Sequence, residues 1–522
     1  MTDTMHGAIP LVQDYLAYSA RRLPGKVALV SQGHRLTYAE LEAQANALAS
    51  TLVERGVKRG ARVIVYGDNT CETAIAFWAI LKANAIVSVV NPQTKADKLA
   101  WLLRDCRPSA FISDAHLVQM FAPAVAASEH VRITVVSGQF DAEALRPIRN
   151  VISWRAAIAQ GNASQPPPQK NLDVDLASII YTSGSTGDPK GVMLTHRNMM
   201  AAASSICSYL GNVQDDVILN VLPMSFDYGL YQMIMAFRTG ARLVLERSFT
   251  FPAQVLKNLM AEGVTGFPGV PTVFAMLAGM SNLAEYDFSH VRYVTNTAAA
   301  LPVKHIMMLR ELFPKARIFS MYGLTECKRC TYLPPEDLTR KPTSVGVAIP
   351  NTELWIVDEQ DRKVGPGQVG QLVIRGATVM KGYWEKPEQT AEKLRAGPVP
   401  GEQVLYTGDL CKLDNEGYLY FVGRMDDIIK SRGEKVAPKE VESAIVDIPG
   451  VKEAAVIGTP DPVLGEAIKA FVVLEPGALL DEKAILGQCQ LRLENFMVPK
   501  IVVIVPDLPK TTTGKVKKTE LR

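Results

Sequence analysis

The stretch YTSGSTGDPKG at residues 181–191 follows the short apolar run LASII at residues 176–180. Its three glycines and four serine or threonine residues leave many backbone N–H groups and hydroxyl groups in one loop, and loops of this kind surround phosphate oxygens. Lys190 adds a positive charge. The spacing does not match the GxxxxGK[ST] pattern of the P-loop. The stretch therefore predicts a strand followed by a different phosphate-binding loop, and not a plain flexible linker.

Helical periodicity and short apolar runs alternate upstream of this loop. Residues 37–57 carry apolar side chains at helical spacing, and the run ARVIVYG at residues 61–67 has the character of a buried strand. A helix is expected at residues 72–86, and the strand IVSVVNP follows it. This alternation is typical of parallel sheets covered by helices, so the α/β class is predicted.

The chain is too long for one hydrophobic core, since it has 522 residues with 48% hydrophobic content. The proline-rich stretch GNASQPPPQKNL at residues 161–172 is interpreted as a joint between two α/β stretches. Short strands with glycine turns at residues 343–425 indicate a smaller β-rich layer. The pattern after Arg424 predicts a compact α+β unit. We therefore predict an N-terminal core at residues 1–425 and a C-terminal domain at residues 426–522.

Charge and composition narrow the range of partners. The 56 Lys and Arg residues nearly balance the 53 Asp and Glu residues, which argues against duplex nucleic acid or an anionic membrane as a partner. Neither a basic leader nor an apolar run of about 20 residues is present, so we expect a cytoplasmic protein. Seven scattered cysteines form no disulfide framework. The pair Cys327 and Cys330 lacks the second ligand pair of a zinc site, and Lys328 and Arg329 between them would repel a cation.

Six further segments extend the evidence over nearly the whole chain. They are LTYAEL at 36–41, MYGLTE at 321–326, GQLVIRGATVMKGYW at 370–384, YTGDL at 406–410, GRMDDIIKSRGEKVAPKEVE at 423–442 and PKTTTGK at 509–515. Together with the phosphate loop, their order and spacing resemble the adenylate-forming superfamily, which includes acyl-CoA synthetases, adenylation domains of non-ribosomal peptide synthesis and firefly luciferase. The resemblance implies an enzyme that activates a carboxylic acid as its acyl-AMP, with release of pyrophosphate, and passes the acyl group to a thiol.

ATP and Mg²⁺ are the cofactors that the resemblance implies. Bringing a carboxylate to the α-phosphate of ATP requires that negative charge be neutralised and that the reacting groups be held in line. The resemblance implies catalytic roles for Lys515, Thr325, Glu326 and Lys190. Glu326 and Thr186 are expected on the metal, which takes oxygen ligands. The nucleotide site is expected to comprise Thr182, Ser183, Gly184, Ser185, Thr186, Gly187, Ala298, Ala299, Met321, Tyr322, Gly323, Asp409 and Arg424.

Individual roles follow from the same resemblance. Asp409 is expected to accept hydrogen bonds from the ribose hydroxyls, with Tyr322 near the adenine and Arg424 near the ribose and phosphates. Lys515 is expected to bridge the carboxylate and the α-phosphate. The resemblance also implies that the C-terminal domain rotates about a hinge at Asp426, so that one site serves both half-reactions in turn.

The segment LPMSFDYGL at residues 222–230 departs from the pattern LPLFHxxG of many acyl-CoA synthetases, because Phe226 replaces the histidine and Asp227 follows it. An FD pair at this place resembles amino-acid adenylation enzymes, in which the Asp binds the substrate ammonium. A carboxylate on a partly desolvated wall is costly unless a cation meets it. The alternative is a solvated or internally paired Asp227. The expected substrate pocket consists of Phe226, Asp227, Tyr228, Tyr231, Val294, Asn296, Met321, Lys328, Arg329 and Cys330.

These observations favour an amino acid as the substrate. An acidic amino acid is expected because Lys328 or Arg329 would pair with a second carboxylate, and a β-amino acid is expected because the FD pair and the cations after MYGLTE resemble stand-alone enzymes that adenylate β-amino acids. Lys328 on the surface, or Arg329 paired with Asp227, are the alternatives. Because the chain ends seven residues after Lys515, the acceptor thiol is expected in trans, on the phosphopantetheine of a carrier protein. The competing hypotheses are a ligase that joins a non-amino acid to free coenzyme A and a catalytically inactive nucleotide sensor.

Overall fold

The computed structural model describes residues 11–182, 189–297, 301, 303–431, 434–461, 465–511 and 515–521. Its α-helices are α1 (Asp14–Arg22), α2 (Tyr38–Glu54), α3 (Cys71–Lys82), α4 (Ala96–Cys106), α5 (Val118–Ala126), α6 (Ala142–Leu145), α7 (Trp154–Gln160), α8 (His196–Leu210), α9 (Asp227–Thr239), α10 (Pro252–Ala261), α11 (Pro271–Ala278), α12 (Val303–Leu312), α13 (Pro387–Lys393), α14 (Pro438–Val446) and α15 (Glu482–Arg492).

In the first 300 residues the strands alternate with these helices. After residue 300 most of the elements are strands. The strands are β1 (Val27–Ser31), β2 (His34–Thr37), β3 (Arg62–Tyr66), β4 (Ile86–Val90), β5 (Ala110–Asp114), β6 (Ile133–Ser137), β7 (Val151–Ser153), β8 (Leu176–Thr182), β9 (Lys190–Thr195), β10 (Val217–Asn220), β11 (Arg242–Leu245), β12 (Gly266–Gly269), β13 (Tyr293–Asn296), β14 (Arg317–Leu324), β15 (Lys328–Leu333), β16 (Val347–Ala348), β17 (Thr352–Val357), β18 (Gly370–Gly376), β19 (Gly382–Tyr383), β20 (Leu394–Ala396), β21 (Gln403–Leu413), β22 (Leu419–Arg424), β23 (Ile429–Ser431), β24 (Glu434–Val436), β25 (Val451–Asp461), β26 (Gly465–Leu474) and β27 (Ile501–Ile504).

Two large sheets form the main body. One has the strand order β19-β9-β8-β4-β3-β5-β6-β7, and the other has the order β16-β15-β14-β13-β12-β10-β11-β1-β2. Both are parallel in their centres and carry antiparallel strands at their edges. Parallel sheets of this kind need helices on their faces, and the order of the sheets confirms the predicted α/β class.

Helix α3 lies between the two sheets and contacts β1 of one sheet and β3 and β4 of the other. Its residues are buried on every side except at Glu72, as expected for a helix that is apolar all round. Helix α2 packs against α3 and begins with a capping box, in which Thr37 and Glu40 each accept a hydrogen bond from the other's backbone N–H. The segment LTYAEL therefore starts this helix.

The proline-rich stretch at residues 161–172 joins two α/β stretches that contribute to one sheet. Strand β8 follows this stretch and pairs with β4, with Val87 opposite Ser178. The stretch is also held to the main body, because Asn84 donates to the carbonyl oxygen of Pro168 at 3.0 Å. Backbone pairing between distant segments thus brings strands from both sides of the joint into the same sheet.

Two smaller sheets complete the described chain. Strands β17, β18, β20, β21 and β22 form an antiparallel sheet. Strands β23 to β27 form a mixed sheet, in which β27 pairs with β26 in parallel. Asp426 lies in the short turn Met425–Asp427 between these sheets. The domain boundary and the hinge at this residue stay predictions. Within the described residues, no helix combines the length and apolar character needed to cross a bilayer.

His196, the first residue of α8, is a buried titratable group, so its protonation reports on the packing around it. Its ring is fully buried, and its Nδ1 accepts a hydrogen bond from the backbone N–H of Val12 at 3.2 Å. Burial lowers the pKa of His196 to about 4. Between that value and the pKa of about 6.5 in the unfolded chain, the unfolded state binds more protons, so stability is lost as the pH falls through this window.

We therefore expect the urea midpoint of unfolding to fall between pH 7 and pH 4.5, with a contribution from His196 on the order of 3 kcal/mol. His196→Gln should reduce this pH dependence, because it removes the titrating group. His290→Gln is the matched control, since His290 is exposed. An equal slope in all three proteins would contradict the account.

Candidate active site

The base of the predicted phosphate loop is formed by two adjacent strands. Thr182 ends β8 and Lys190 begins β9, and the two residues are partners across the strands. The Lys190 ammonium lies over the ring of Tyr383, with 5.5 Å from Nζ to the ring centroid. This geometry orients the Lys190 side chain by a cation–π interaction. The loop residues Ser183, Gly184, Ser185, Thr186 and Gly187 lie outside the described residues, as do Ala298 and Ala299.

Tyr383 connects this loop base to Glu326. Its hydroxyl donates a hydrogen bond to Oε1 of Glu326 at 2.8 Å, and the backbone N–H of Met380 donates to the Glu326 carbonyl oxygen at 2.7 Å. Burial and the neighbouring Glu326 raise the pKa of Tyr383, so the hydroxyl keeps its proton and remains a donor. The segment MYGLTE is thereby held beside the phosphate loop.

Asp409 is the centre of the second part of the site. It is 7% exposed, and its carboxylate accepts a hydrogen bond from the hydroxyl of Tyr322. Arg424 is its partner on the neighbouring strand, with 3.4 Å between Nε and the carboxylate. Burial raises the pKa of Asp409, and the hydrogen bond from Tyr322 and the charges of Arg424 and Lys393 oppose this. A buried carboxylate is thus surrounded by donors and cations from three segments.

Lys515 faces the same group of charges from the C-terminal segment. Its loop is closed by two hydrogen bonds to Thr511, from the Lys515 N–H to Oγ1 at 3.1 Å and from the Thr511 N–H to the Lys515 carbonyl oxygen at 2.7 Å. Lys515 is an exposed residue, although the protein atoms around its ammonium still desolvate it. This desolvation and the charge of Arg424 lower the pKa of Lys515.

Acidic groups from three elements oppose that shift in the pKa of Lys515. They are Asp227, Asp409 and Glu326. The structure therefore brings together the residues that the sequence placed in MYGLTE, YTGDL and PKTTTGK, with Asp227 of the substrate segment beside them. The cations of this site suit it to an anionic ligand, whose charge they would compensate.

A tight turn connects β14 to β15 and carries the two cations that follow Glu326. Gly323 is required there, because a Cβ would lie 1.8 Å from the Lys328 carbonyl oxygen. Lys328 has a left-handed backbone with φ of 65°, which is uncommon outside glycine. It is 1% exposed, and its ammonium donates to the Thr325 carbonyl oxygen at 2.6 Å. The surface alternative for Lys328 is therefore wrong.

Burial and a nearby carboxylate act in opposite directions on the charge of Lys328. Burial lowers its pKa to about 8, and Asp227 is the group that most favours the charged form. Asp227 itself begins α9 and is half-buried. Gly229 permits the sharp start of this helix, since a Cβ there would lie 2.4 Å from the Pro223 carbonyl oxygen. Phe226 is the residue immediately before the helix.

Arg329 is buried as well and is 2% exposed. Its guanidinium carbon is 4.7 Å from the ring centroid of Tyr228 and 5.9 Å from that of Tyr231. The hydroxyl of Tyr228 donates to the Thr295 carbonyl oxygen at 2.9 Å, so it is engaged elsewhere. An ion pair between Arg329 and Asp227, the alternative for Arg329, does not appear among the described contacts. The charge of Asp227 instead acts on Lys328.

The remaining expected pocket residues are buried in the adjoining strands. Val294 and Asn296 lie on β13, and Met321 on β14 accepts a hydrogen bond at its sulfur from Tyr209 at 3.0 Å. Cys330 on β15 is fully buried, with its sulfur 2.8 Å from that of Cys327. These side chains form the interior wall behind Tyr228.

Sequence reasoning missed two members of the site. Tyr383 lies in the motif at residues 370–384 but has no expected role there, and Lys393 lies outside all the motifs. Lys393 donates to the Thr407 carbonyl oxygen at 3.1 Å and contributes positive charge near Asp409. The motif GQLVIRGATVMKGYW contained the signal for Tyr383, since it ends beside the strand that carries Lys190.

Comparisons with known proteins agree with this geometry. The family described as AMP-binding enzyme matches residues 16–384, and the AMP-binding enzyme C-terminal domain matches residues 440–515. The long-chain-fatty-acid–CoA ligase of Bacillus subtilis (strain 168) is 32% identical over 98% of this chain and 94% of its own length. Tyrocidine synthase 3 of Brevibacillus parabrevis is 30% identical over 96% of this chain, which corresponds to 7% of that protein. ATP-bound MatB from Rhodopseudomonas palustris has a TM-score of 0.87 at 30% identity over 98% of both chains.

The fold and the charged cleft define an adenylate-forming enzyme. The chain belongs to the AMP-binding enzyme family. It is an AMP-forming acid–thiol ligase that uses ATP and Mg²⁺, which confirms the predicted superfamily, enzyme class and cofactors. The carboxylate of Glu326, held by the Tyr383 hydroxyl, offers the oxygen ligands that a magnesium ion takes.

Replacing Lys515 with alanine should lower the rate of ATP–pyrophosphate exchange by about 100- to 1000-fold, because it removes the cation that the C-terminal segment places at the cleft. Lys517→Ala is the matched control, since Lys517 is paired with Glu520 at 2.9 Å. Equal losses in the two variants, or full activity in Lys515→Ala, would contradict the convergence of these segments on one nucleotide.

Proposed function

We propose that this chain is an AMP-forming coenzyme A ligase that activates a carboxylic acid without an ammonium group. The observation that carries the proposal is the buried Lys328 beside Asp227. A carboxylate on the pocket wall calls for a cation, and the protein itself supplies one. The full-length similarity to a fatty-acid–CoA ligase supports the same conclusion.

The nucleotide lies across the ends of the large sheets in this proposal. Thr182, Lys190 and the loop between them hold the β- and γ-phosphates, and Tyr383 fixes the position of Lys190. Thr325 and Glu326 serve the α-phosphate and the metal. When bound, the magnesium ion neutralises phosphate charge and polarises the phosphoryl oxygens.

The nucleoside half of ATP lies beside the antiparallel layer. Asp409 accepts hydrogen bonds from the ribose hydroxyls, Tyr322 lies near the adenine, and Arg424 is near the ribose and phosphates. Burial raises the pKa of Asp409, and the surrounding donors and cations compensate for part of this cost. The ribose hydroxyls provide further donors to the same carboxylate.

Lys515 bridges the acid carboxylate and the α-phosphate while the new bond forms. Charge accumulates there in the transition state, and a donor that meets it lowers the barrier by about 3 kcal/mol. After pyrophosphate leaves, rotation about Asp426 withdraws Lys515 and presents the segment GEKVAP to the thiol, in the manner of a lid.

An amino acid loaded onto a carrier protein is the second candidate. It is favoured by the position of Asp227 at the start of α9, where its charge reaches both Lys328 and Lys515. A carboxylate between the pocket interior and the cleft is placed where an α- or β-ammonium group would lie. The similarity to part of tyrocidine synthase 3 is consistent with this candidate.

A panel of acids in ATP–pyrophosphate exchange separates the two candidates. Fatty and aromatic acids are compared with α- and β-amino acids at equal concentration, followed by thioester formation with coenzyme A or with a phosphopantetheinylated carrier protein. We expect the highest kcat/KM with an acid that lacks an ammonium group, and consumption of free coenzyme A.

The panel is repeated with Asp227→Ala. If an amino acid were the substrate, this variant would lose about 100-fold in kcat/KM with it, since the ammonium would lose its counter-charge. A non-amino acid should keep its rank among the acids. A wild-type enzyme that exchanges only with amino acids and acylates only the carrier protein would overturn the proposal in favour of the second candidate.

A further inference from the structure

The guanidinium of Arg329 is the buried charge that the proposed mechanism does not use. All three of its nitrogens are enclosed and have no hydrogen-bond partner among the described residues. Guanidinium groups carry five donors, and charges this deep in proteins are normally paired. The aromatic rings of Tyr228 and Tyr231 attract the cation through their faces, but they leave its donors in the guanidinium plane unsatisfied.

The chain near Arg329 departs from local preferences in a second, independent way. The preceding residue, Lys328, is both buried and left-handed, with φ of 65°. A glycine at position 328 would adopt this left-handed conformation without strain. Strained backbone beside an unsatisfied buried charge is characteristic of functional sites. The turn therefore places Arg329 at a cost to stability.

The face of helix α9 gives the direction of the pocket. Asp227 and Tyr231 lie one helical turn apart on the same face of α9, and Asp227 is one of the acidic groups whose charge acts on Lys515. Tyr231 is in turn within cation–π distance of Arg329. The face of α9 that begins at Asp227 therefore leads to the guanidinium. An acid whose carboxylate meets Lys515 would extend its far end towards Arg329.

The charge that this face of α9 leads to is positive and unmatched. Arg329 remains without a carboxylate among its described contacts. One positive charge is therefore left for the substrate to match, and the planar fork of a guanidinium is suited to a carboxylate in two parallel hydrogen bonds.

We infer that the substrate carries a second carboxylate, distal to the one that is activated, and that Arg329 binds it. This assignment rests on the proposed ligase function and specifies its substrate class as dicarboxylic acids. The second carboxylate passes the aromatic faces of Tyr228 and Tyr231 and remains unreacted, so the product is a thioester with a free distal carboxylate. Monocarboxylic acids of equal length leave the guanidinium unpaired and are poor substrates.

The test is ATP–pyrophosphate exchange by the full-length enzyme with aliphatic and aromatic diacids, each compared with the monoacid of the same carbon number. We expect the best diacid to exceed its matched monoacid by about 100-fold or more in kcat/KM. Arg329→Met should remove that preference, chiefly through KM for the diacid, and should bring the monoacid to parity or above it. Arg329→Lys, which keeps the charge but not the fork, should retain part of the preference.

Arg317→Met is the matched control. Arg317 also lies over an aromatic ring, at 5.0 Å from the Phe319 centroid, but it is exposed at the other end of β14. Arg317→Met should leave the diacid preference unchanged. Should Arg329→Met fail to fold, the wild-type enzyme still decides the matter, because a diacid with a non-hydrolysable ATP analogue should raise the Tm more than its monoacid does.

Monoacids that equal or exceed their diacids in the wild-type enzyme, with the same ranking in Arg329→Met, would overturn the assignment of Arg329 while the ligase function stands. Exchange with no acid of either series would overturn the proposed function and the assignment together. A diacid preference that disappears in Arg329→Met and persists in Arg317→Met supports both.

Discussion

Compensation of negative charge is the constraint on which this site depends. Asp409 is buried and Glu326 lies near it, and an acid and a nucleotide bring more negative charge to the same place. Each layer of the fold contributes a cation that offsets this charge. These cations are Lys190 from one large sheet, Arg424 from the antiparallel layer and Lys515 from the C-terminal segment. None of these layers alone could hold a carboxylate against a phosphate, so the layers must meet before the chemistry is available.

The same constraint explains why the polar contacts of the site run between distant segments. The hydroxyl of Tyr322 reaches Asp409 and that of Tyr383 reaches Glu326, and burial raises the pKa of both tyrosines. These hydroxyls therefore remain donors and fix the orientation of each carboxylate. Two carboxylates in fixed orientations define where cations and a metal ion are most favourable. The site is preorganised by neutral donors and completed by cations from three layers of the fold.

Local patterns in the sequence predicted much of this arrangement. The alternation of helices and strands predicted the α/β class, and Thr37 and Glu40 start a helix by the spacing of a capping box. The resemblance to the adenylate-forming superfamily also predicted which charged residues meet, and the roles of Asp409 and Lys515 stay predictions. Burial of Lys328 and the link from Tyr383 to Glu326 were not predictable, since they depend on a left-handed turn and on pairing across 57 residues. The joining of β8 to β4 has the same origin, because sheet order is set by long-range pairing and not by local composition.

The central claim is that Lys190 and Lys515, which are far apart in the chain, meet the phosphates of one nucleotide. An ATP analogue whose terminal phosphate is joined to an acyl group transfers that group to lysines at the phosphates, and peptide mass spectrometry then identifies them. The account predicts modification of Lys190 or Lys515 that excess ATP suppresses, with Lys517 and Lys518 little affected. Modification that is confined to Lys517, Lys518 and other exposed lysines, and that ATP does not change, would contradict it.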